Sequence, residues 1–180
     1  AHSLGKIGRE YNRMALKAPS FREVALALGR KDGRRITANY GLDPRLGKYH
    51  RSYCLDCERI LEEAEAAAER CPDCHSPNLT RGVLDRILSI ADRPRPQPAP
   101  HHPPYYYQVP LEYIPGLGPK TFSRLLERFG TEMNILHRTT REELAEAAGP
   151  SIADMILKAR EGKLALRSGG GGQYGKVART

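Results

Sequence analysis

Four cysteines constrain this chain more than any other feature. They form two pairs, Cys54-Leu-Asp-Cys57 and Cys71-Pro-Asp-Cys74. A C-x2-C turn brings two thiolates to one side of a tetrahedral ion with backbone amides facing the sulfurs, so two pairs at this separation are suited to enclose one cation. Zinc is the natural occupant, with Cys54, Cys57, Cys71 and Cys74 as its expected ligands. Two disulfides would need an exported chain, and residues 1–20 contain no signal-peptide apolar stretch. A redox site needs only one pair; an iron–sulfur cluster is left open by spacing alone. Four thiolates leave no position for a bound water, which makes the expected centre structural. His75 follows the last cysteine as a surplus donor to an already complete set.

The rest of the composition favours small modules over one large core. The 180 residues include 17 glycines, 14 prolines and no Trp, and aromatics are 7%. The net charge of +8 favours polyanionic partners and is unevenly spread. Residues 1–53 carry the excess, whereas the cysteine segment is net acidic and becomes more so with metal held by four thiolates. Such a surface repels phosphate, so the cysteine unit is expected to support its neighbours rather than grip nucleic acid. No apolar run approaches the ~18 residues of a membrane span. A soluble, cytoplasmic chain without a membrane partner is the expectation.

The pattern divides into segments. In residues 1–50, Ser20-Phe-Arg-Glu23 reads as a capping box opening a short helix through Phe21, Val24, Leu26 and Leu28, stopped by Gly29 and Gly33. Ile36–Tyr40 reads as a strand, followed by a turn at Gly41–Pro44. Residues 51–91 are the cysteine module, with a helical Ala/Glu run from Glu58 to Arg70 and a helix from about Gly82 to Ala91. Residues 92–108 read as a Pro-rich linker, residues 109–167 as an all-helical module, and residues 168–180 as a glycine-rich tail, flexible by composition.

The helical module opens with Ile114-Pro-Gly-Leu-Gly-Pro-Lys120, which carries the h-P-G-h-G-x-K pattern of a helix–hairpin–helix. Glycines let backbone approach a phosphate, and the amides of a following helix favour an anion. Gly116, Leu117, Gly118, Lys120 and Arg124 are the candidate DNA-contacting residues here. Pro119 suits a first helical turn, and Phe122, Leu125, Leu126 and Phe129 form an apolar face. Such hairpins also serve as pure packing elements, and Phe122 stands where the motif usually has a small residue. Gly149-Pro-Ser151 is a degenerate echo of the turn, with Leu144, Ala147, Ala148, Ile152, Ile156 and Leu157 as its apolar positions. Lys48, Tyr49, His50 and Arg51 interleave cations with aromatic rings and are a second candidate DNA contact, with Arg34-Arg35 nearby. Tyr105-Tyr-Tyr107 has two readings, stacking on an unpaired base or packing under the next helix.

Taken together, Ala1-His-Ser3, Gly41-Leu-Asp-Pro-Arg-Leu-Gly-Lys-Tyr-His-Arg-Ser-Tyr-Cys54, the two cysteine pairs, Gln108–Lys120 and Gly169–Val177 resemble the C-terminal part of endonuclease Q-like proteins. These belong to the PHP (polymerase and histidinol phosphatase) superfamily. The resemblance implies a DNA-repair endonuclease that hydrolyses the phosphodiester 5′ to deaminated bases such as uracil or hypoxanthine, or to abasic sites. It implies an α+β, multi-module fold: the end of a PHP-type α/β barrel, a small four-cysteine zinc module and a tandem helix–hairpin–helix-like module. Catalytic divalent metals are implied only for the full PHP domain, where His2 would stand at the end of an Asp-x-His ligand motif. This chain is then the DNA-engaging part, inactive alone, contacting DNA through its backbone. The competing reading is a non-catalytic module that binds DNA or a repair or replication protein such as a helicase or polymerase clamp. Walker loops and nucleophile elbows are absent from the sequence.

Overall fold

A computed structural model describes residues 6–178; His2, the candidate metal ligand, lies outside them. The fold is mixed α+β, with small sheets set around a helical core.

Near the N-terminus, β1 (Tyr11–Ala15), α1 (Phe21–Leu28) and β2 (Arg35–Leu42) form one unit. Strand β1 is antiparallel to β2, with a register shift at Arg13/Met14, and a later strand, Tyr105–Gln108, adds to β2 in parallel. Ser20 Oγ accepts the Glu23 N–H at 3.3 Å, so α1 starts where the cap pattern places it. The capping box is only half formed. The Glu23 carboxylate turns away from Ser20 to accept from Lys17 N at 2.7 Å and from Arg34 Nε and Nη2 at 2.9 Å each.

The cysteine segment contains β3 (Tyr53–Cys54), β4 (Arg59–Ile60) and β5 (Leu79–Thr80), in the order β4-β3-β5, followed by α2 (Val83–Ile90). The expected helix over Glu58–Arg70 does not form. Tyr53 pairs with Ile60 and Cys54 with Arg59, and Glu63–Glu65 make only a single 3-10 turn. Helix propensity in an Ala/Glu run is worth tenths of a kcal/mol per residue, whereas β3 pairs with β4 on one side and with β5 on the other, which commits Arg59 and Ile60 to a strand.

Strand β6 (Tyr105–Gln108) corrects the reading of the end of the Pro-rich segment. Tyr105–Tyr107 do not pack under a helix but lie on a strand, with all three rings about half exposed. Tyr106 stacks on Tyr40 with centroids 4.9 Å apart, and Tyr40 stacks on Tyr11 at 4.4 Å. Tyr105 and Tyr107 lie 5.0 Å apart, as alternation along a strand requires. Cross-strand aromatic pairs of this kind stabilise a small sheet.

The largest core belongs to α3 (Pro119–Phe129), α4 (Glu132–His137), α5 (Arg141–Ala148) and α6 (Pro150–Arg160). Leu125, Ile135, Leu144, Ala153 and Ile156 are fully buried in it, beside Leu111, Ile114 and Leu117. Phe122 packs against its edge. At the end of α4 the Arg160 guanidinium donates to the carbonyls of Leu136, Ile135 and Thr139 at 2.6–2.7 Å, satisfying acceptors that a helix end leaves open. The module is not purely helical, because β7 (Leu166–Arg167) pairs with β8 (Lys176–Val177) beyond α6.

The segment between β7 and β8 is the expected flexible tail, and the structure corrects that reading. Gly169 N donates to Arg45 O at 2.8 Å, Gly172 N to Lys48 O at 3.1 Å and Gly175 N to Leu46 O at 3.1 Å, while Arg51 N donates to Gly169 O at 3.1 Å. Gly169, Gly170 and Gly175 are buried. A Cβ on Gly175 would run into the Arg45 and Arg167 carbonyls. These glycines permit close backbone approach, the opposite use of the composition that also makes linkers flexible.

Candidate functional site

The four cysteines meet, with all Sγ atoms within 4.8 Å of one another. Cys54 and Cys74 sulfurs are 3.5 Å apart, as are those of Cys57 and Cys71. Cys54 and Cys71 are buried; Cys57 and Cys74 face solvent. Each pair sits on a similar turn, for the residue after the second cysteine is left-handed in both: Glu58 at φ 53° and His75 at φ 57°. His75 itself is exposed and stands outside the cluster. Backbone N–H groups of Cys74 and Asp73 lower the Cys71 thiol, while desolvation within the sulfur cluster and hydrogen bonds with Cys71, Cys54 and Cys74 push Cys57 up. Four sulfurs gathered this closely could hold a metal ion, and an all-sulfur donor set suits a soft or borderline cation such as zinc. Beneath the cluster the local core consists of Cys54, Leu61 and Cys71.

The hairpin loop has a 3-10 turn, Leu111–Tyr113, on one side and α3 on the other. Gly116 adopts φ +83°, which side-chain-bearing residues rarely tolerate. Gly118 caps α3 without a side-chain hydrogen bond. Leu117 points inward, 8% exposed, and anchors the loop to the core. Gly116, Gly118, Lys120 and Arg124 are exposed. Arg128, one turn further on, is paired with Glu146. The echo at Gly149 is real: it has φ +90° and opens α6 with Pro150 at its first turn, as Gly118 and Pro119 open α3.

The Lys48–Arg51 loop divides by role. Lys48 and Tyr49 are exposed. His50 is half-buried, and burial with the nearby Arg51 charge lowers its pKa. The Arg51 side chain is only 12% exposed, its Nε 3.2 Å from Asp85 Oδ1. The Asp85 carboxylate also accepts the Ser52 N–H at 2.6 Å. Arg51 thereby ties the loop to α2, and the first turn of α2 grips it again, Val83 N donating to Tyr49 O at 2.7 Å and Leu84 N to His50 O at 3.0 Å. Arg34, likewise, is committed to Glu23.

Sequence reasoning missed Tyr174. Lys48 Nζ lies 4.7 Å from the centre of its ring, and Tyr113 meets it edge-on at 6.3 Å. The Gln173-Tyr-Gly-Lys176 run is the signal for it in the sequence, and the glycines before it, which read as flexible, are held by backbone bonds to Arg45 and Lys48.

No family model matches the chain. Two solved structures of endonuclease Q resemble it over 96% of its length. The lesion-specific endonuclease from Pyrococcus furiosus superposes with a TM-score of 0.77 at 36% identity, 45% of that chain being covered. An endonuclease Q bound to a 27-mer duplex substrate with an abasic lesion at its active site gives 0.74 at 35% identity, with 46% covered. The chain has the fold of part of endonuclease Q. Among curated proteins, the uncharacterized YqxK of Bacillus subtilis is 47% identical over 182 residues, 98% of this chain and 44% of that protein. The uncharacterized MJ0043 of Methanocaldococcus jannaschii is 32% identical over 96% of this chain and 23% of its own length. The chain thus spans less than half the length of each relative.

Proposed function

We propose that this chain is the DNA-engaging part of an endonuclease Q-like repair enzyme. The observation that carries the reading is the match, at 35–36% identity across 96% of the chain, to endonuclease Q structures, one of them holding a lesion-bearing duplex. The exposed loop Gly116–Gly118 and the first amides of α3 receive a backbone phosphate, with Lys120 and Arg124 supplying charge. Leu117 contributes by anchoring that loop. Lys48 and Tyr49 form a second contact, positioned through Arg51 and Asp85. Zinc held by the four cysteines has a structural role.

The intact enzyme of which this chain is part cleaves 5′ to deaminated bases or abasic sites, on our reading, with hydrolysis at a PHP-type metal centre. Among the described residues the cysteine cluster is the metal-binding constellation present, and four thiolates leave it no site for an activated water.

Fluorescence anisotropy of the zinc-loaded chain on a labelled duplex tests the reading. Affinity falling steeply between about 50 and 200 mM salt supports it. Binding that ignores salt, or survives Gly116→Val and Gly118→Val, overturns it.

A further inference from the structure

The glycine-rich segment Gly169–Val177 is built too rigidly for a spacer. Its backbone is clamped to Arg45, Leu46, Lys48 and Arg51, and Val177 is buried in the helical core. Yet the clamped strap presents three polar or aromatic side chains to solvent: Gln173, Tyr174 and Lys176. An ordered loop that buries its backbone and displays such residues is a form binding loops take.

Tyr174 is 48% exposed. Its ring is oriented by Tyr113 at 86°, and Tyr113 belongs to the turn that leads into the hairpin. Both rings line a cleft of about 720 Å³, bounded also by Pro115 of the hairpin loop and by Lys176. Glu112 is the acidic group on this cleft, and it is occupied by Arg9 at 2.9 Å. Lys48 and Lys176 form no ion pair among the described residues. The cleft therefore combines an exposed aromatic ring, one cation without a carboxylate partner, Lys176, and the edge of the hairpin loop, while Lys48 approaches the same ring from beside the cleft and Lys6 on its wall is paired with Glu112.

A phosphate-only site has no use for the ring. Bases within an intact duplex are stacked on one another and offer only their edges in the grooves, so a tyrosine ring can stack only on a base that has left the stack. We propose that Tyr174 stacks on an unpaired nucleobase of the strand whose phosphate lies on the hairpin loop, while Lys48 and Lys176 contact the flanking phosphates. The proposal rests on the reading that the hairpin binds DNA. It adds a reason for the strap's rigidity: a ring held in place before binding loses little conformational freedom on stacking.

The test uses the zinc-loaded 180-residue chain with two labelled duplexes, one carrying a single unpaired 2-aminopurine and one with the same base paired. The wild type is expected to quench the unpaired 2-aminopurine. Tyr174→Ala should abolish that quenching and weaken binding to the bulged duplex roughly tenfold, with less than about a twofold change on the paired duplex. Tyr174→Phe should restore both. Lys176→Ala should weaken both duplexes and reduce the salt slope by about one. Melting temperature and zinc content verify that each variant is folded. If Tyr174→Ala and wild type behave alike on the bulged duplex while Gly116→Val loses both duplexes, the stacking proposal falls and the hairpin reading stands. If Gly116→Val binds as wild type while Tyr174→Ala loses quenching, the hairpin reading falls, and with it the placement of the strand on the hairpin loop; the stacking contact by Tyr174 alone survives. A wild type that binds neither duplex overturns both.

Discussion

The Leu46 carbonyl accepts the Gly175 N–H at 3.1 Å, one of four backbone bonds that join the loop preceding the cysteine cluster to the strap that follows the helical module. Leu46 and Val177 are both buried in the helical core, so loop, strap and hairpin share one packing unit. Three elements far apart in sequence are thereby held in one arrangement.

Gly175→Ala should be costly and Gly118→Ala nearly silent for stability. A Cβ at 175 meets backbone on several sides, whereas at 118 it meets nothing within 4 Å. Thermal unfolding should show a loss of about 1–3 kcal/mol for the first, and less than about 0.5 kcal/mol for the second. Equal melting points for both variants would mean that the strap is not packed as described.

Removing metal should dismantle the cysteine module selectively. Its local core holds only Cys54, Leu61 and Cys71, with Leu79 against it, and its strands are two residues long, too little to fold unaided. One zinc per chain is expected by elemental analysis. Chelation or Cys71→Ser should open residues 55–80 to limited proteolysis, while helical circular dichroism from α3–α6 persists.

The acid limb of stability should report the Glu23–Arg34 pair. Hydrogen bonds from Arg34 lower the Glu23 carboxyl from its ordinary 4.5 to about 2. A carboxylate with a depressed folded-state value stabilises fully above the unfolded value, and that contribution is lost as pH falls through the folded one. The melting temperature should therefore decline between pH 4.5 and 2 partly through Glu23. Glu23→Gln should be less stable at neutral pH and show a shallower decline in that window; parallel profiles would exclude the pair as a contributor.

Arg160→Met should destabilise by about 2–3 kcal/mol, because it leaves carbonyls at the end of α4 without their charged donor. Those acceptors are Leu136, Ile135 and Thr139. Denaturant unfolding with an unchanged m-value would identify the loss as one of stability rather than compactness.

Two helix starts came out as read. The Ser20 cap starts α1 and Pro119 starts α3 with Leu125 on its buried face, since each depends on residues within a turn of one another. Gly149-Pro150 echoes Gly118-Pro119 for the same reason. Each cysteine turn is local too, whereas the meeting of the two pairs, 14–20 residues apart, is not.

Long-range contacts settled the rest. The Ala/Glu run Glu58–Arg70 looks helical by propensity, but Ile60 pairs with Tyr53 across the cysteine turn, and a weak local preference yields to that pairing. Tyr105–Tyr107 follow a Pro-rich stretch, yet become a strand because β2 offers an edge. Glycine-rich Gly169–Gly175 is ambiguous in sequence, for the missing side chain that frees a backbone also allows it to lie against another. Only the carbonyls of Arg45, Leu46 and Lys48, brought alongside by the fold, determine that here it is held. Local pattern sets where helices start and pairs the cysteines within each C-x2-C turn. Which backbone groups of distant segments pair depends on partners that no local pattern contains, and the folded chain alone supplies them.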